Sequence, residues 1–372
     1  MHCIILRNNL KEGISLVANA KKESAQLPAL KNILIEAHDT ALTLSATDLE
    51  IGVVHSLSAK VLLKGSCTVP FGVFQQIIQN AASERIELEL KGSALHISTE
   101  NYNAKIAATQ KDEFPIIPNL SDDTPQQFSV DAGSCVHALQ TTATACHTSE
   151  FRPELSGILL DIRDGFVYAV ATDSFRLAKA IIPKKKLNIS PSITASIIIP
   201  LRTAQEIIRI FPQESDVIQV LFDENQIVVK SKSTRLVSRL IEGKFPDYTM
   251  VIPKSFEAEL TIQKNELIQA LRLTSSLANR LNEVRIKIDD SMKNIQLLSS
   301  SHEFGESEYI LSVKSKGSPL VISFNWRFLL DGLKQVPTET VFIGINSEQK
   351  PSILQAPDDE GFLYVLTSIK TA

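Results

Sequence analysis

VPFGVFQQII at residues 69–78 and IPLRTAQEII at residues 199–208 are two copies of one pattern, 130 residues apart. Proline, glutamine and both isoleucines recur at the same offsets in the two copies. A more divergent third copy, FNWRFLLDGL, occupies residues 324–333. Because this spacing is a normal domain size, the pattern indicates that the chain repeats one domain three times.

Other landmarks keep the same order and a similar spacing. ATDLE at residues 46–50 matches ATDSF at residues 171–175, and Phe-Pro recurs at residues 114–115 and 245–246. A single short match would mean little, but three matches in one order favour a true repeat. The alternative is two or three unrelated α+β domains that share generic patterns.

Each third of the chain opens with a segment of helical periodicity. Asn9 and Glu12 could form a capping pair for the first of these helices, and Asp131 could cap the second. In the third, Leu267, Ala270, Leu271 and Thr274 share one face. A second helix is expected to start at Pro70 and at Pro200, since proline suits the first turn of a helix.

Alternating apolar residues around turn signals predict antiparallel hairpins between these helices. The hairpin strands are expected at residues 33–37 with 41–46, and at residues 157–162 with 166–172. The fold class is therefore α+β, with three repeated domains, each having two helices packed on antiparallel sheets. The expected domains are residues 1–122, 126–253 and 255–372.

Composition restricts the class of protein. The chain has 372 residues, of which 44% are hydrophobic and 22% charged, with a net charge of −4. Its four cysteines form no C-x-x-C pair, and no apolar run is long enough for a membrane span. These features predict a cytoplasmic protein without disulfides, structural metal or cofactor, and no membrane association.

Sheets leave edge strands, and three similar domains could pair these edges end to end in a curved sheet that a cyclic dimer closes. Helices that faced inward would then form a positively charged lining, able to hold DNA phosphates without sequence preference. The basic residues on or beside the predicted helices are Lys11, Lys21, Lys22, Arg202, Arg209, Lys264, Arg272, Arg280, Arg327 and Lys334. The alternative is that they are ordinary solvated helix faces.

Catalytic motifs are missing from the sequence. It contains no phosphate-binding G-x-x-x-x-G-K-[ST] loop, no H-E-x-x-H and no G-x-S-x-G. The nearest approach to a catalytic cluster is Cys146 and His147 with Glu150, which leaves a hydrolase as one alternative function. Asp48 and Asp173 each follow a strand in a Thr-Asp step, which predicts a turn-forming role.

Several segments resemble the β sliding clamps of bacterial DNA polymerase III, and the resemblance covers essentially the whole chain. LPAL at residues 27–30 and TDLE at 47–50 are similar to the first domain of these clamps. RPELSGILL at 152–160 and ATDSFRLA at 171–178 are similar to the second domain, and EGKFPDY at 242–248 to its exit segment. The third domain is the least similar.

The resemblance implies a non-catalytic subunit that forms a ring as a head-to-tail homodimer around double-stranded DNA, independent of base sequence. It implies loading by a clamp loader complex and a location at replication forks on the nucleoid. It also implies a hydrophobic groove for the polymerase III alpha subunit and other proteins that carry clamp-binding motifs, which confers processivity. A peptide-binding scaffold without DNA remains an alternative.

Site residues follow from the matching positions. The groove would be formed by Leu155, Thr172, Ser174, Phe175, Arg176, Leu177, Pro246, Val251, Val365, Thr367, Ser368 and Ile369. DNA would be contacted by Lys21, Lys22, Arg152, Arg202, Arg209, Lys264 and Arg272, and the dimer interface by Ile106, Leu273 and Leu277. The chain departs from the family at Ser174-Phe175, where Gly-His is frequent, and at its tail, where Met-Pro-Met-Arg is usual.

Overall fold

The computed structural model describes residues 1–21, 27–118, 120, 126–211, 217–347 and 350–370. Its six α-helices within these residues are α1 Arg7–Val17, α2 Phe71–Asn80, α3 Ala132–Ala143, α4 Leu201–Ile210, α5 Lys264–Thr274 and α6 Trp326–Gln335.

The first third of the chain contains the strands β1 His2–Leu6, β2 Asn32–His38, β3 Ala41–Thr47, β4 Ile51–Ser58, β5 Lys60–Leu63, β6 Gly65–Pro70, β7 Arg85–Lys91, β8 Ala94–Ser98 and β9 Asn103–Ala107. The second contains β10 Gln126–Asp131, β11 Gly157–Arg163, β12 Phe166–Thr172, β13 Arg176–Ile182, β14 Leu187–Asn188, β15 Ala195–Pro200, β16 Val217–Phe222, β17 Gln226–Lys230 and β18 Thr234–Arg239. The third contains β19 Ala258–Gln263, β20 Glu283–Ile288, β21 Asn294–Ser301, β22 Gly305–Ser312, β23 Lys314–Gly317, β24 Val321–Asn325, β25 Thr340–Ile345, β26 Ser352–Ala356 and β27 Asp359–Leu366.

The threefold repeat is confirmed in the element order. Among the described residues, each third has nine strands and two helices, and the helices hold the same places in each third. In every copy, both helices begin at the residue directly after a strand, at the first and sixth strands of that copy. No loop separates strand from helix there, because the strand's last residue already has the extended backbone that precedes a helix.

The predicted hairpins are confirmed within one residue at each end, as β2 with β3 and β11 with β12. Asp131 caps α3 as predicted, since its Oδ2 accepts the backbone N–H of Ser134 at 2.9 Å. The capping pair at Asn9 and Glu12 is wrong. Helix α1 already begins at Arg7, because β1 runs directly into it, and its N-cap Leu6 provides no side-chain hydrogen bond.

Strands of neighbouring thirds pair with each other, always the fourth strand of one copy with the ninth of the next. One sheet runs in the order β10-β16-β17-β18-β4-β3-β2-β6, so β18 and β4 form its junction. Another runs β15-β11-β12-β13-β27-β26-β25-β19-β23, with the junction at β13 and β27. The expected edge-to-edge joining of domains is therefore confirmed at both junctions.

The remaining sheets contain strands of one third only. The first third forms β5-β1-β7-β8-β9 and the last forms β22-β21-β20-β24. Their cores are covered by amphipathic helices: α1 buries Leu10, Ile14 and Val17. Helix α5 buries the predicted stripe of Leu267, Ala270, Leu271 and Thr274.

The chain packs as two compact units, Met1–Val136 with Glu206–Leu240 and His137–Gln205 with Ile241–Ala372. The middle third contributes strands to both units. Its strands β10 and β16–β18 lie in a sheet with strands of the first third, and β11–β13 and β15 lie in a sheet with strands of the last third. Among the described residues, no helix has the length and apolar character needed to cross a membrane.

Substitution of Gly157 tests the close packing between β11 and β15. A Cβ on Gly157 would lie 2.4 Å from the carbonyl oxygen of Ile199, so Gly157→Ala should lower the free energy of unfolding by about 1–3 kcal/mol. Gly72 in α2 is the matched control, since a Cβ there meets nothing within 4 Å. Gly72→Ala should leave stability unchanged or raise it by up to about 1 kcal/mol. Urea denaturation followed by circular dichroism measures both, and equal stability of the two variants would contradict this packing.

Candidate functional site

The repeated Thr-Asp step forms the same turn in the first and second copies. Oδ1 of Asp48 accepts the backbone N–H groups of Glu50 and Ile51, at 2.9 and 2.8 Å. Oδ1 of Asp173 accepts those of Phe175 and Arg176, both at 2.9 Å. The turn role predicted for both aspartates is confirmed, and each turn leads into the strand that joins the next domain.

The residue after this turn differs between the copies. Where the first copy has Ile51, the second has Arg176, whose Nε donates to Asp173 at 2.9 Å and whose NH1 donates to Asp331 at 2.8 Å. The guanidinium also lies 4.2 Å from the ring centre of Phe328. Only 12% of the Arg176 side chain is exposed.

Burial by itself opposes the charge on Arg176. Tyr364, Asp331 and Asp173 outweigh it and raise the pKa of Arg176 above its ordinary value. The network ties β13 to α6, so Arg176 holds the site together as well as bordering it. An alanine at this position would therefore remove contacts with Asp173, Asp331 and Phe328 at once.

An apolar floor lies directly beyond Arg176. The strand register places Leu177 opposite Val365, and both are 3% exposed. Leu155 joins the same buried cluster, and Phe245 and Tyr248 from the exit segment pack into it. Pro246 and Val251, on that same segment, are exposed, so they border this floor without filling it.

A concave depression of about 960 Å³ lies at the other side of Arg176. It is lined by Ser174, Phe175, Leu281, Asn325, Phe328, Lys350, Pro351, Thr367, Ser368, Ile369 and Lys370. The chain's last described residues are fixed here, because the backbone N–H and hydroxyl of Thr367 both donate to the Phe175 carbonyl oxygen at 2.9 Å. Phe175 itself is 62% exposed at the mouth.

The fold brings together residues that the sequence assigned to the groove and others that it did not. Ser174, Phe175 and the tail residues all line the depression. Leu281, Asn325, Phe328, Lys350, Pro351 and Lys370 were missed. They come from four separate segments of the least similar third, and no local pattern marks them.

An apolar floor beside an open depression suits an extended peptide with large apolar side chains. Exposed aromatic and polar groups at the rim can orient such a peptide. Arg152 also lies at this rim, since its NH1 donates to the Ser174 hydroxyl at 3.3 Å. This places Arg152 beside the groove as well as among the candidate DNA contacts.

Two basic residues that the sequence assigns to DNA binding use their hydrogen-bond donors for contacts within the fold. Arg209 donates to the carbonyl oxygens of Ser15 and Leu16, at 2.8 and 2.7 Å, and is paired with Glu206. These carbonyls belong to the last turn of α1, where the helix has no internal donors to offer. Arg209, which the sequence predicts as a phosphate contact, therefore also links α4 to the end of α1.

Lys264 also makes a hydrogen bond within the fold. Its Nζ donates to the carbonyl oxygen of Val336, at the end of α6, at 2.7 Å. Arg7 has the equivalent place in the first copy and donates to the carbonyl oxygens of Ala81 and Ala82 just after α2. In the first and third copies, therefore, the basic residue that begins the first helix donates hydrogen bonds to carbonyl groups at the end of the second helix.

The other assigned residues have varied surroundings. Arg202 and Arg272 lie on exposed helix faces, and the ammonium of Lys21 lies 5.0 Å from the ring centre of Phe71. Lys22 lies outside the described residues. For the dimer interface, Leu273 is 59% exposed and Leu277 is partly exposed, but Ile106 is 6% exposed and belongs to the core of its own sheet.

Cys146 does not have the surroundings of a nucleophile. Its thiol is buried and donates to the carbonyl oxygens of Leu155 and Gly157, at 3.6 and 3.5 Å. Burial raises the pKa of Cys146 to about 11, so the thiolate is scarce at neutral pH. The hydrolase alternative built on Cys146 and His147 loses its reactive group.

The three repeated domains match family models one by one. Residues 1–118, 130–247 and 249–370 match the N-terminal, central and C-terminal domains of the DNA polymerase III beta subunit. The beta sliding clamp of Chlamydia muridarum is 30% identical over 372 residues, covering 100% of this chain and 99% of that protein.

Solved structures agree in fold. The DNA polymerase sliding clamp from Bacillus subtilis superposes with a TM-score of 0.94 at 24% identity, covering all of both chains. A sliding clamp from Pseudomonas aeruginosa bound to griselimycin gives a TM-score of 0.94 at 23% identity, also over both whole chains.

Three repeats joined through their edge strands, with no catalytic centre in the site described above, define a DNA-clamp fold. The chain belongs to the beta sliding clamp family, the beta subunit of bacterial DNA polymerase III. Its function is that of a non-catalytic sliding clamp, a processivity subunit whose partners are DNA and the polymerase. The family resemblance and the three-domain fold predicted from the sequence are confirmed.

The Arg176 network gives a test of how the site is held. Arg176→Ala should lower the free energy of unfolding by about 2–4 kcal/mol, since Asp173 would lose its partner in a largely buried place. Asp331→Ala should cost only about 1 kcal/mol, because 39% of the Asp331 side chain is exposed and solvent screens the pair. Arg280→Ala, on an exposed residue, is the control and should stay within about 0.5 kcal/mol. Denaturant titration decides, and an Arg176→Ala cost no larger than that of the control would refute the network's role.

Proposed function

We propose that two copies of this chain close head to tail into a ring around duplex DNA, through β9 of one copy and β22 of the other. The observation that carries this is the joining rule inside the chain. The fourth strand of the first copy pairs with the ninth of the second, and the fourth of the second with the ninth of the third. Within the described residues, the ninth strand of the first copy and the fourth of the last remain as sheet edges.

The internal junctions also supply the register. At the first, Ile51 at the start of β4 lies opposite Ser238 near the end of β18. At the second, Arg176 at the start of β13 lies opposite Leu366 at the end of β27. Relative to the strand ends these two registers differ by one residue, and that of the first junction would set Gly305 of β22 opposite Ile106 of β9, and Glu306 opposite Lys105.

Charge supports this pairing. Lys105 on β9 and Glu306 on β22 are both exposed, and this register sets them directly opposite each other. Opposite charges across an antiparallel pair stabilise it. Exposed Leu273 on α5, which packs on β22, would add apolar contact, with Leu277 beside it. Ile106 would contribute through its backbone on the edge strand, because its side chain is already buried.

The domains proposed for each subunit are residues 1–122, 126–253 and 255–372. Each range holds one complete set of nine strands and two helices among the described residues. The lining of the ring would take its phosphate contacts from Lys21, Arg152, Arg202 and Arg272. Lys22 belongs to the same proposal by sequence alone, while Arg209 and Lys264 would add positive charge but few free donors.

The floor at Leu177 and Val365, with the depression at Phe175, would receive the clamp-binding motif of partner proteins. We assign the groove to the residues listed from the sequence, extended by Phe328 and the other residues that line the depression. That a related clamp binds griselimycin supports a ligand site on this fold. The polymerase III alpha subunit and other motif-bearing proteins would bind here, a clamp loader would open the ring, and the protein would act at replication forks in the cytoplasm.

The ring predicts the solution mass. Light scattering across a dilution series should give a mass near twice 41.0 kDa, falling to 41.0 kDa only on strong dilution. Lys105→Glu should raise the dimer dissociation constant by about tenfold, because like charges would then face each other across the seam. The double variant Lys105→Glu with Glu306→Lys is the control and should restore most of the affinity. A stable wild-type monomer would remove the ring and its mechanism.

The lining predicts a salt-dependent hold on DNA. Arg202→Glu combined with Arg272→Glu should reduce retention on nicked circular DNA by about tenfold at low salt, since phosphate contacts become repulsions. Lys232→Glu, in the exposed turn between β17 and β18, is the control and should be retained normally. Gel filtration of loaded complexes measures retention. Unchanged retention of the double variant at the same low salt would show that these helices do not face DNA.

A further inference from the structure

A histidine is buried where strands of the first two copies pair. His55 on β4 lies directly opposite Thr234 on β18, and the two side chains are 8% and 6% exposed. Nδ1 of His55 and the Thr234 hydroxyl share a hydrogen bond of 2.8 Å across the junction. Neither the DNA contacts nor the groove described above use this histidine.

The imidazole ring of His55 is enclosed on its remaining sides. Leu44 lies opposite it on β3, on the side away from β18. The backbone of α1 lies directly on the ring, since a Cβ on Gly13 would be 3.1 Å from Cδ2 of His55. Because protein interiors are closely packed, the ring cannot turn toward solvent while β4, β18 and α1 keep their places.

The surroundings of the ring offer little compensation for a positive charge. The elements that pack on β4 are β3, β18, α1 and the uncharged residues 18–20, and the charged group among them that acts on His55 is the exposed Glu12 of α1. Within the described parts of the chain, no carboxylate lies at ion-pair distance from the ring. Burial lowers the pKa of His55 below its ordinary value, while Glu12 acts in the opposite direction. A protonated His55 would thus be a buried charge without a partner, which is costly.

The second junction has no titratable group in this place. Ile51 and Arg176 begin the equivalent strands, and His55 and Ala180 follow four residues later. Ala180 on β13 pairs with Phe362 on β27, and both side chains are buried. The two junctions therefore share one strand pairing but differ in whether the buried pair can take up a proton.

We propose that His55 makes the β4–β18 junction sensitive to acid, so that protonation of its ring loosens the pairing of the first two copies while the β13–β27 junction is unaffected. The unfolded chain takes up this proton near the ordinary pKa of 6.5, and the folded chain takes it up only at lower pH. The stability that the neutral ring contributes is therefore complete well above pH 6.5 and is lost as the pH falls below it. Loosening would reach α1, whose last turn receives Arg209 of α4. The device lies within one chain and needs neither ring closure nor the groove.

Hydrogen–deuterium exchange of the full-length protein near pH 7.5 and about pH 5.5, on either side of the ordinary histidine pKa, tests this switch. Exchange rates are converted to protection factors, which removes the intrinsic dependence of exchange on pH. Peptides from β4 and β18 should lose about fivefold in protection at the lower pH, and peptides from β13 and β27 should not. His55→Gln, whose amide can still bond to Thr234 but takes up no proton, should abolish the loss.

The matched control is His137→Gln, at an exposed residue of α3, which should show the full loss. Glu12→Gln on the exposed face of α1 should deepen the loss, because a carboxylate that favours the protonated ring is removed. If His55→Gln fails to fold, Glu12→Gln decides, and an unchanged loss in that variant would overturn the proposal. The proposal is equally overturned if β4 and β18 keep their protection at the lower pH, if β13 and β27 lose as much, or if the loss survives His55→Gln.

Discussion

Hydrogen bonding between the fourth strand of one repeat and the ninth strand of the next is the interaction on which the rest of this structure depends. A sheet edge presents unpaired N–H and C=O groups, and a repeat protein must cover them at every copy. This chain covers them with its own next copy at β4–β18 and β13–β27. Among the described residues, the ninth strand of the first copy, β9, and the fourth of the last, β22, remain as sheet edges, and another copy of the chain could pair them by the same rule. Ring closure is thus the continuation of a contact already made twice within the chain.

The candidate functional site lies at the β13–β27 junction and not at the β4–β18 junction. Both begin with the same aspartate turn, but the first continues with Ile51 and Gly52, and a Cβ on Gly52 would lie 2.7 Å from Ile117. The space beside Gly52 is therefore filled by the Ile117 side chain. The second junction continues with Arg176 and Leu177 and has an open depression of about 960 Å³ beside it. The two junctions therefore share a turn and a strand pairing but differ in the residues that follow the turn and in the space beside them.

Basic side chains of this chain form hydrogen bonds within the fold, in addition to the proposed contacts with phosphate. Arg209, Lys264 and Arg7 all donate to carbonyl groups at helix ends, where the helix itself has no donors left. Helical periodicity marks such residues as exposed, and only the position of a second helix shows what they contact. Arg176 likewise holds the β13–β27 junction through Asp173 and Asp331.

The sequence by itself determined the threefold repeat, the hairpins at β2–β3 and β11–β12, the aspartate turns and the apolar face of α5. These are local: each depends on the spacing of apolar side chains or on a side chain that bonds its own backbone. It also pointed to Leu177, Val365 and the tail through resemblance. Only the tertiary structure decided which strands join neighbouring copies, that Phe328 and Lys350 line the depression, and that Arg209 and Lys264 bind helix ends. Those contacts unite residues far apart in the chain, so their partners are set by packing and strand register, which no local pattern encodes.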